Sequence, residues 1–134
     1  MVTTYDMNGV NVIVGGRFIT GFADGTAITS EANEDKFSVQ VGVKGEVTFS
    51  ETNDPTGAIG IILKQTSPSV PYLDGLANRK GENAIVSAQI VDLTANGVNA
   101  GGNRCRVTRT SKKEFSNSES KREYRIYVAD YSAR

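Results

Sequence analysis

The sequence has no histidine and no tryptophan, one cysteine and three prolines in 134 residues. Without histidine there is no imidazole to shuttle protons near neutral pH, and the usual nucleophile–base pairs have no base. A single cysteine, Cys105, rules out an internal disulfide and a Cys/His zinc set, and its place in a predicted strand marks it as an inert, half-buried thiol. No apolar run approaches the roughly 20 residues a membrane-spanning helix needs. The opening MVTTYDMNG has no signal-peptide core. The expectation is a soluble chain made in the cytoplasm, with no membrane partner. Neither charge sign is in excess, with 15 basic and 15 acidic residues, so no overall field draws the chain to nucleic acid. What remains for catalysis is unpaired carboxylates. Glu31, Glu34 and Asp35 gather in one predicted turn without calcium-loop spacing, which reads as a solvated acidic turn. The Gly-Gly pairs at 15–16 and 101–102 precede no Lys-Ser/Thr helix, so they are turns and not phosphate cradles. No enzyme, no cofactor and no metal site is expected.

What is present is alternation. In FSVQVGVKGEVTFS, Phe37, Val39, Val41, Val43, Val47 and Phe49 share one parity and polar residues take the other, a period of two that specifies sheet. A three-residue loop at Lys44–Glu46 keeps the faces separate by pairing Val43 with Val47 and Val41 with Phe49. That reading gives a hairpin with one dry and one wet face. Asp substitution at Val41 or Phe49 is then expected to unfold the subunit, whereas Gln40 or Thr48 tolerates it. Ahead of it, Val10–Val14 and Arg17–Ile19 form a hairpin around Gly15-Gly16, GFADG at 21–25 is a turn, and Thr26–Ser30 is a short strand. After it, Asp54-Pro55-Thr56-Gly57 fits a type I turn, and Ala58–Gln65 continues the hairpin as the third strand of a meander, buried on both faces. One helix begins near Ser67 or Ser69, either of which is placed to cap it. It turns Val70, Leu73, Leu76 and Ala77 to one side and stops at Gly81. Ala84–Thr94 is a buried strand, 95–103 a Gly/Asn turn region, Arg104–Thr110 a strand with Cys105 and Val107 inward, and Glu123–Tyr131 the last strand. Between the last two strands, SKKEFSNSESKR at 111–122 reads as a loop that stays mobile until something binds it. The length fits one domain, 1–134.

Charge is unevenly spread. Residues 1–103 carry six basic and eleven acidic side chains, and residues 104–134 carry nine and four, so the molecule is electrically polar. Arg104, Arg106, Arg109, Lys112, Lys113, Lys121, Arg122 and Arg125, interleaved with Phe115, Tyr124 and Tyr127, make a candidate basic face. It suits a protein interface or, as a lesser alternative, a small nucleic-acid-binding β-domain.

Four blocks, GFADG at 21–25, NEDKF at 33–37, VGVKGEV at 41–47 and QTSPS at 65–69, followed by the Leu73/Leu76 spacing, resemble in order and separation those of bacteriophage tail tube proteins from contractile-tailed phages and prophages. The likeness covers residues 10–77; in the last third REYRIYVADY resembles the family's last strand, and SKKEFSNSESKR departs from the pattern. The resemblance implies a mainly-β subunit, two antiparallel sheets packed as a sandwich or partial barrel with one flanking helix, closing into a hexameric ring. Rings stack head to tail into the inner tube of a virion tail, assembled in the bacterial host cytoplasm, with sheath, baseplate and tape-measure proteins as partners and DNA as transient cargo in the lumen. A baseplate or terminator ring of the same fold is the nearest alternative. A lumen that passes DNA should not grip phosphate. The polar parity Ser38, Gln40, Lys44, Glu46, Thr48 and Ser50 is therefore expected to face the channel or a ring neighbour. Arg104, Arg106, Arg109, Lys112, Lys113, Glu114 and Phe115 are expected at inter-ring or sheath contacts.

Overall fold

Positive φ angles at Gly15 and Gly16 fold β1 (Val10–Val14) onto β2 (Arg17–Phe18) in the computed structural model, which describes residues 9–93 and 99–133. Eight further strands follow: β3 (Ile28–Ala32), β4 (Phe37–Val41), β5 (Val47–Glu51), β6 (Gly57–Lys64), β7 (Val86–Asp92), β8 (Ala100–Val107), β9 (Lys121–Val128) and β10 (Ser132–Ala133). One helix, α1 (Ser69–Asn78), leads through a 3₁₀ turn at Gly81–Ala84 into β7. The protein is mainly β, with two antiparallel sheets and one helix. The larger sheet runs β2-β1-β7-β8-β9-β6-β3, with β10 on the end of β8; the smaller is β4-β5 alone.

The larger sheet curls as a partial barrel around one core. Its inward parity supplies Val12, Val14, Ile59, Ile61, Leu63, Ile126 and Val128, all without exposed surface, and α1 closes the bowl with Val70, Leu73 and Leu76. Each such aliphatic side chain contributes about 1.5–3 kcal/mol by leaving water. β9 shows the pattern most clearly, alternating exposed and buried over Lys121–Val128. The segment after β2 runs back along β6, where Phe22 pairs Leu63 and the Lys64 N–H donates to the Gly21 carbonyl, so β6 is flanked on both sides. Its near-continuous apolarity combines Ile59, Ile61 and Leu63 in the core with buried Ala58 and half-buried Gly60 and Ile62 on the opposite face.

Several local expectations are corrected. β6 does not continue from β5 as a meander; it returns past the hairpin to pair with β3, Ala32 opposite Gly57. Pro55 has no N–H for a ladder, and the pairing registers on the two sides of it differ by one residue. No strand or turn is assigned over 52–56; Asp54 instead accepts the Thr56 N–H (2.9 Å) and hydroxyl (2.6 Å) in a side-chain turn. Neither serine caps α1 in the expected way, because Pro68 holds the N-cap position. Ser67 donates to the Thr20 carbonyl and Ser69 accepts the Thr20 N–H, so both pin the helix start to the β2–β3 connection. The helix ends on extended Arg79, and Gly81 takes its positive φ only in the following 3₁₀ turn. Of the predicted turn region 95–103, residues 94–98 lie outside the described residues and Ala100 onward is already β8. There a bulge sets an extra residue on β8 against β7, between Val86 opposite Cys105 and Ala88 opposite Gly102. The Asp130 carboxylate takes up the freed Asn103 and Arg104 N–H groups, each at 3.0 Å, and these bonds hold its pKa below the ordinary value.

Candidate assembly surface

The β4–β5 hairpin is the distal half of an arm whose proximal half is the β3–β6 ladder. The two halves are joined by backbone bonds from Asn33 N–H to the Thr56 carbonyl and from Thr52 N–H to the Lys36 carbonyl. Within the arm the pairing is Phe37 with Glu51, Ser38 with Ser50, Val39 with Phe49, Gln40 with Thr48 and Val41 with Val47. This differs from the expected register by two residues. The loop is Val43–Gly45, closed by the Gly42 N–H to the Glu46 carbonyl at 2.7 Å, because the third residue of such a loop is left-handed and Gly45, φ 88°, is the one that adopts it. A shift of two preserves parity. The faces therefore remain segregated: Phe37, Val39, Val41, Val47 and Phe49 on one, Ser38, Gln40, Thr48 and Ser50 on the other.

What the sequence misassigned is where the dry face lies. Phe37, Val39, Val41, Val47 and Phe49 are 48–68% exposed in the subunit, and every residue of both strands is solvent-accessible. Alternation reports that one face wants an apolar partner; it does not say that the partner belongs to the same chain. The expectation that Asp at Val41 or Phe49 unfolds the subunit is accordingly withdrawn, since the carboxylate enters water. An exposed apolar strip of this continuity marks an interaction site. Lys44 stands in the loop at the tip, with Glu46 next to it at the start of the returning strand.

The basic segment is divided by the fold. Arg104 and Arg106 on β8 and Lys121 and Arg125 on β9 share the outer face of the large sheet with Tyr127, which pairs directly with Arg106. Arg104 reaches Glu82 at 3.7 Å between two well-exposed side chains, a contact worth little. Arg122 and Tyr124 do not belong to this face, for both are buried. The Arg122 guanidinium donates to Ser120 Oγ (2.6 Å) and the Glu114 carbonyl (3.2 Å) and lies 5.5 Å from the Phe115 ring.

Nor is 111–120 the untethered loop its composition suggests. Ser111 donates to the Tyr124 hydroxyl (3.1 Å), which donates to Asp74 on α1 (2.9 Å); Lys113 reaches the other Asp74 oxygen at 2.5 Å. At the far end Glu119 accepts both the N–H and hydroxyl of Thr66, which lower its pKa, and Gln65 accepts from Ser120. Burial pushes the Tyr124 phenol up to about 12. Lys112 and Glu114 pair at 2.9 Å on the exposed side, each favouring the other's charged form. Arg109 and Phe115 are exposed. The bonds that hold this strap come from residues 65, 66 and 74, and no local pattern in 111–122 signals them.

Cys105 is buried, and desolvation raises its pKa to about 11, so the thiol is not a nucleophile at neutral pH. Among the described residues no group of three acidic or thiol side chains stands close enough to hold a metal ion, and no helix is long and apolar enough to cross a membrane.

No protein-family model and no curated protein sequence matches the chain. Solved structures do. A chain of the PVC sheath–tube complex of an extracellular contractile injection system, in the extended state, superimposes with a TM-score of 0.64 at 12% identity, over 93% of this chain and 87% of that one. A chain of the PVC sheath/tube terminator gives 0.61 at 12% identity, over 98% and 96%. A chain of the anti-feeding prophage cap, the AFP tube-terminating cap, gives 0.61 at 11% identity, over 100% and 94%. The chain shares their fold.

Proposed function

We propose that this chain is a structural subunit of a tail tube: copies close into hexameric rings, the rings stack head to tail, and the bore conducts what the particle delivers, DNA in a phage. The observation that carries this reading is the apolar face of the arm, which is folded, paired and uncovered. A subunit meant to stay alone gains nothing from it, and a repeating assembly covers it once per copy. In this reading the polar side of the arm, Ser38, Gln40, Thr48 and Ser50 with Lys44 and Glu46 toward the tip, turns to the channel or a ring neighbour. Arg109, Lys112, Lys113, Glu114 and Phe115 contact the next ring or a surrounding sheath. Closure also removes the free edges of β2 and β3. The fold shared with a sheath–tube complex supports the particle-associated, non-enzymatic role.

Near-complete mutual coverage with the terminator and cap chains favours a second reading, a ring that ends a tube. Electron microscopy of the concentrated purified protein separates the two. Tubes of many rings are expected; isolated rings that never stack establish the terminator, and a monomer at every concentration overturns both.

A further inference from the structure

The apolar face of the arm is bordered by acid. Residues 31–54 carry six carboxylates and two lysines, all exposed. Glu51 pairs with Phe37 and shares its face, and Glu34 and Asp35 line, with Lys36, Phe37 and Val39, an open trough of about 690 Å³ at the base of the arm. Among the described residues none of these three carboxylates has an ion pair.

The reciprocal surface lies on the outside of the large sheet. Register places Arg106 beside Tyr127, Tyr127 beside Ala58, and Arg125 beside Gly60. β6 thus presents half-buried Gly60 and Ile62 beside buried Ala58 as a low apolar floor, with a hollow of about 180 Å³ at Gly60 and Ile62. Around it stand Tyr127, 43% exposed, the cations Arg106, Arg125 and Lys121, and one carboxylate, Glu123, opposite Ile62; Arg106 and Arg125 make no ion pair among the described residues.

On the reading that the chain self-assembles, we propose that the acid-bordered apolar face of one arm docks on the β8–β9–β6 outer face of a second copy. Phe37, Phe49 and the valines then cover the Ala58–Gly60–Ile62 floor, while Glu34, Asp35 and Glu51 meet Arg106 and Arg125. Charge complementarity selects the occupant. An arm on an arm sets carboxylates against carboxylates, and two outer faces set Arg106, Lys121 and Arg125 of each copy together with only Glu123 to offset them, so the unlike pair is the favoured one. Guanidiniums above phenyl faces add cation–π attraction. The contact joins two different patches and is therefore heterologous, the kind that closes into rings or runs on as a stack.

Charge reversal tests the pairing. One variant carries Glu34→Lys, Asp35→Lys and Glu51→Lys; another carries Arg106→Glu and Arg125→Glu. All five positions are exposed, and circular dichroism melts check that each variant stays folded. Sedimentation and negative-stain microscopy should show that each variant alone needs at least about tenfold more protein than wild type to assemble. Mixing the two, or combining all five changes in one chain, should restore assembly. Wild type and both variants assembling alike would overturn the pairing and leave self-assembly standing; a monomeric wild type would overturn both. If Arg106→Glu/Arg125→Glu abolished binding of a short DNA duplex while leaving assembly unchanged, the face would be a nucleic-acid surface and the pairing would be wrong.

Discussion

The Phe37 and Phe49 rings meet edge to face, centroids 5.3 Å apart and planes at 88°, while both remain about half exposed. Such a pair is worth about 0.5–1.5 kcal/mol to the hairpin that holds it. It contributes nothing to the core under the large sheet.

Phe49→Asp should therefore leave the subunit folded and stop it assembling. Its thermal midpoint should stay within a few degrees of wild type, whereas Ile61→Asp, which places an unpaired carboxylate in the fully buried core, should abolish the cooperative melt. Circular dichroism melts and sedimentation of the same samples give both readouts. Equal destabilisation by the two changes would put the arm inside the fold.

The strap over residues 111–120 hangs on Asp74. Asp74→Ala removes the acceptor of the Tyr124 hydroxyl and Lys113, and should lower stability by about 1–3 kcal/mol. Amide hydrogen exchange should speed up across 111–120 and hardly change in β9. Uniform acceleration throughout the chain would mean that Asp74 holds α1 and not the strap.

Alkaline pH should unfold the subunit through two groups. Folding raises the Cys105 thiol from 9.0 to about 11 and the Tyr124 phenol from 10.0 to about 12, so the folded state keeps both protons longer than the unfolded chain. Their contribution is complete below about pH 9 and declines as pH rises through 11 and 12, by up to about 1.4 kcal/mol per pH unit for each proton. Denaturant midpoints between pH 8 and 11 should show this fall, and Cys105→Ala with Tyr124→Phe should flatten it. Thiol reagents at pH 8 should label Cys105 only after unfolding.

Periodicity served best where the partner face lay in the same chain. The helical face of Val70, Leu73 and Leu76 was legible because burial there follows pitch alone, and β9 as a strand was legible while its faces, exposed and buried in strict alternation, were not. The same alternation in Phe37–Phe49 is satisfied outside the subunit, and no periodicity encodes that difference. Ser67 and Ser69 look like helix caps, yet both hydroxyls bond Thr20, more than 45 residues away, and only Ser67 also accepts a helix N–H, that of Ser69. Arg122 reads as part of a basic face because charge suggests exposure; its guanidinium is buried among Ser120, Glu114 and Phe115, partners visible only in three dimensions.

Gly101 is the backbone position least open to change. Its φ of 137° suits glycine, and a Cβ there would overlap the Ala88 carbonyl across the bulge. Gly101→Ala should destabilise by about 1–3 kcal/mol in urea titration, whereas Gly75→Ala, inside α1 with open space for the added methyl group, should be neutral or stabilising by up to about 1 kcal/mol.

The detour between β3 and β6 also shapes how the chain finds its fold. Bringing Ala32 to Gly57 means closing a loop of 24 residues, unless the β4–β5 hairpin has formed first. Hairpins form in about 1–10 μs, and this one leaves only the short links 33–36 and 52–56 loose. The entropy of closure then falls by under about 1 kcal/mol, a modest but early gain for the β3–β6 ladder to start from. An arm that adds little to the finished subunit thus shortens the loop that must close for β6 to reach β3.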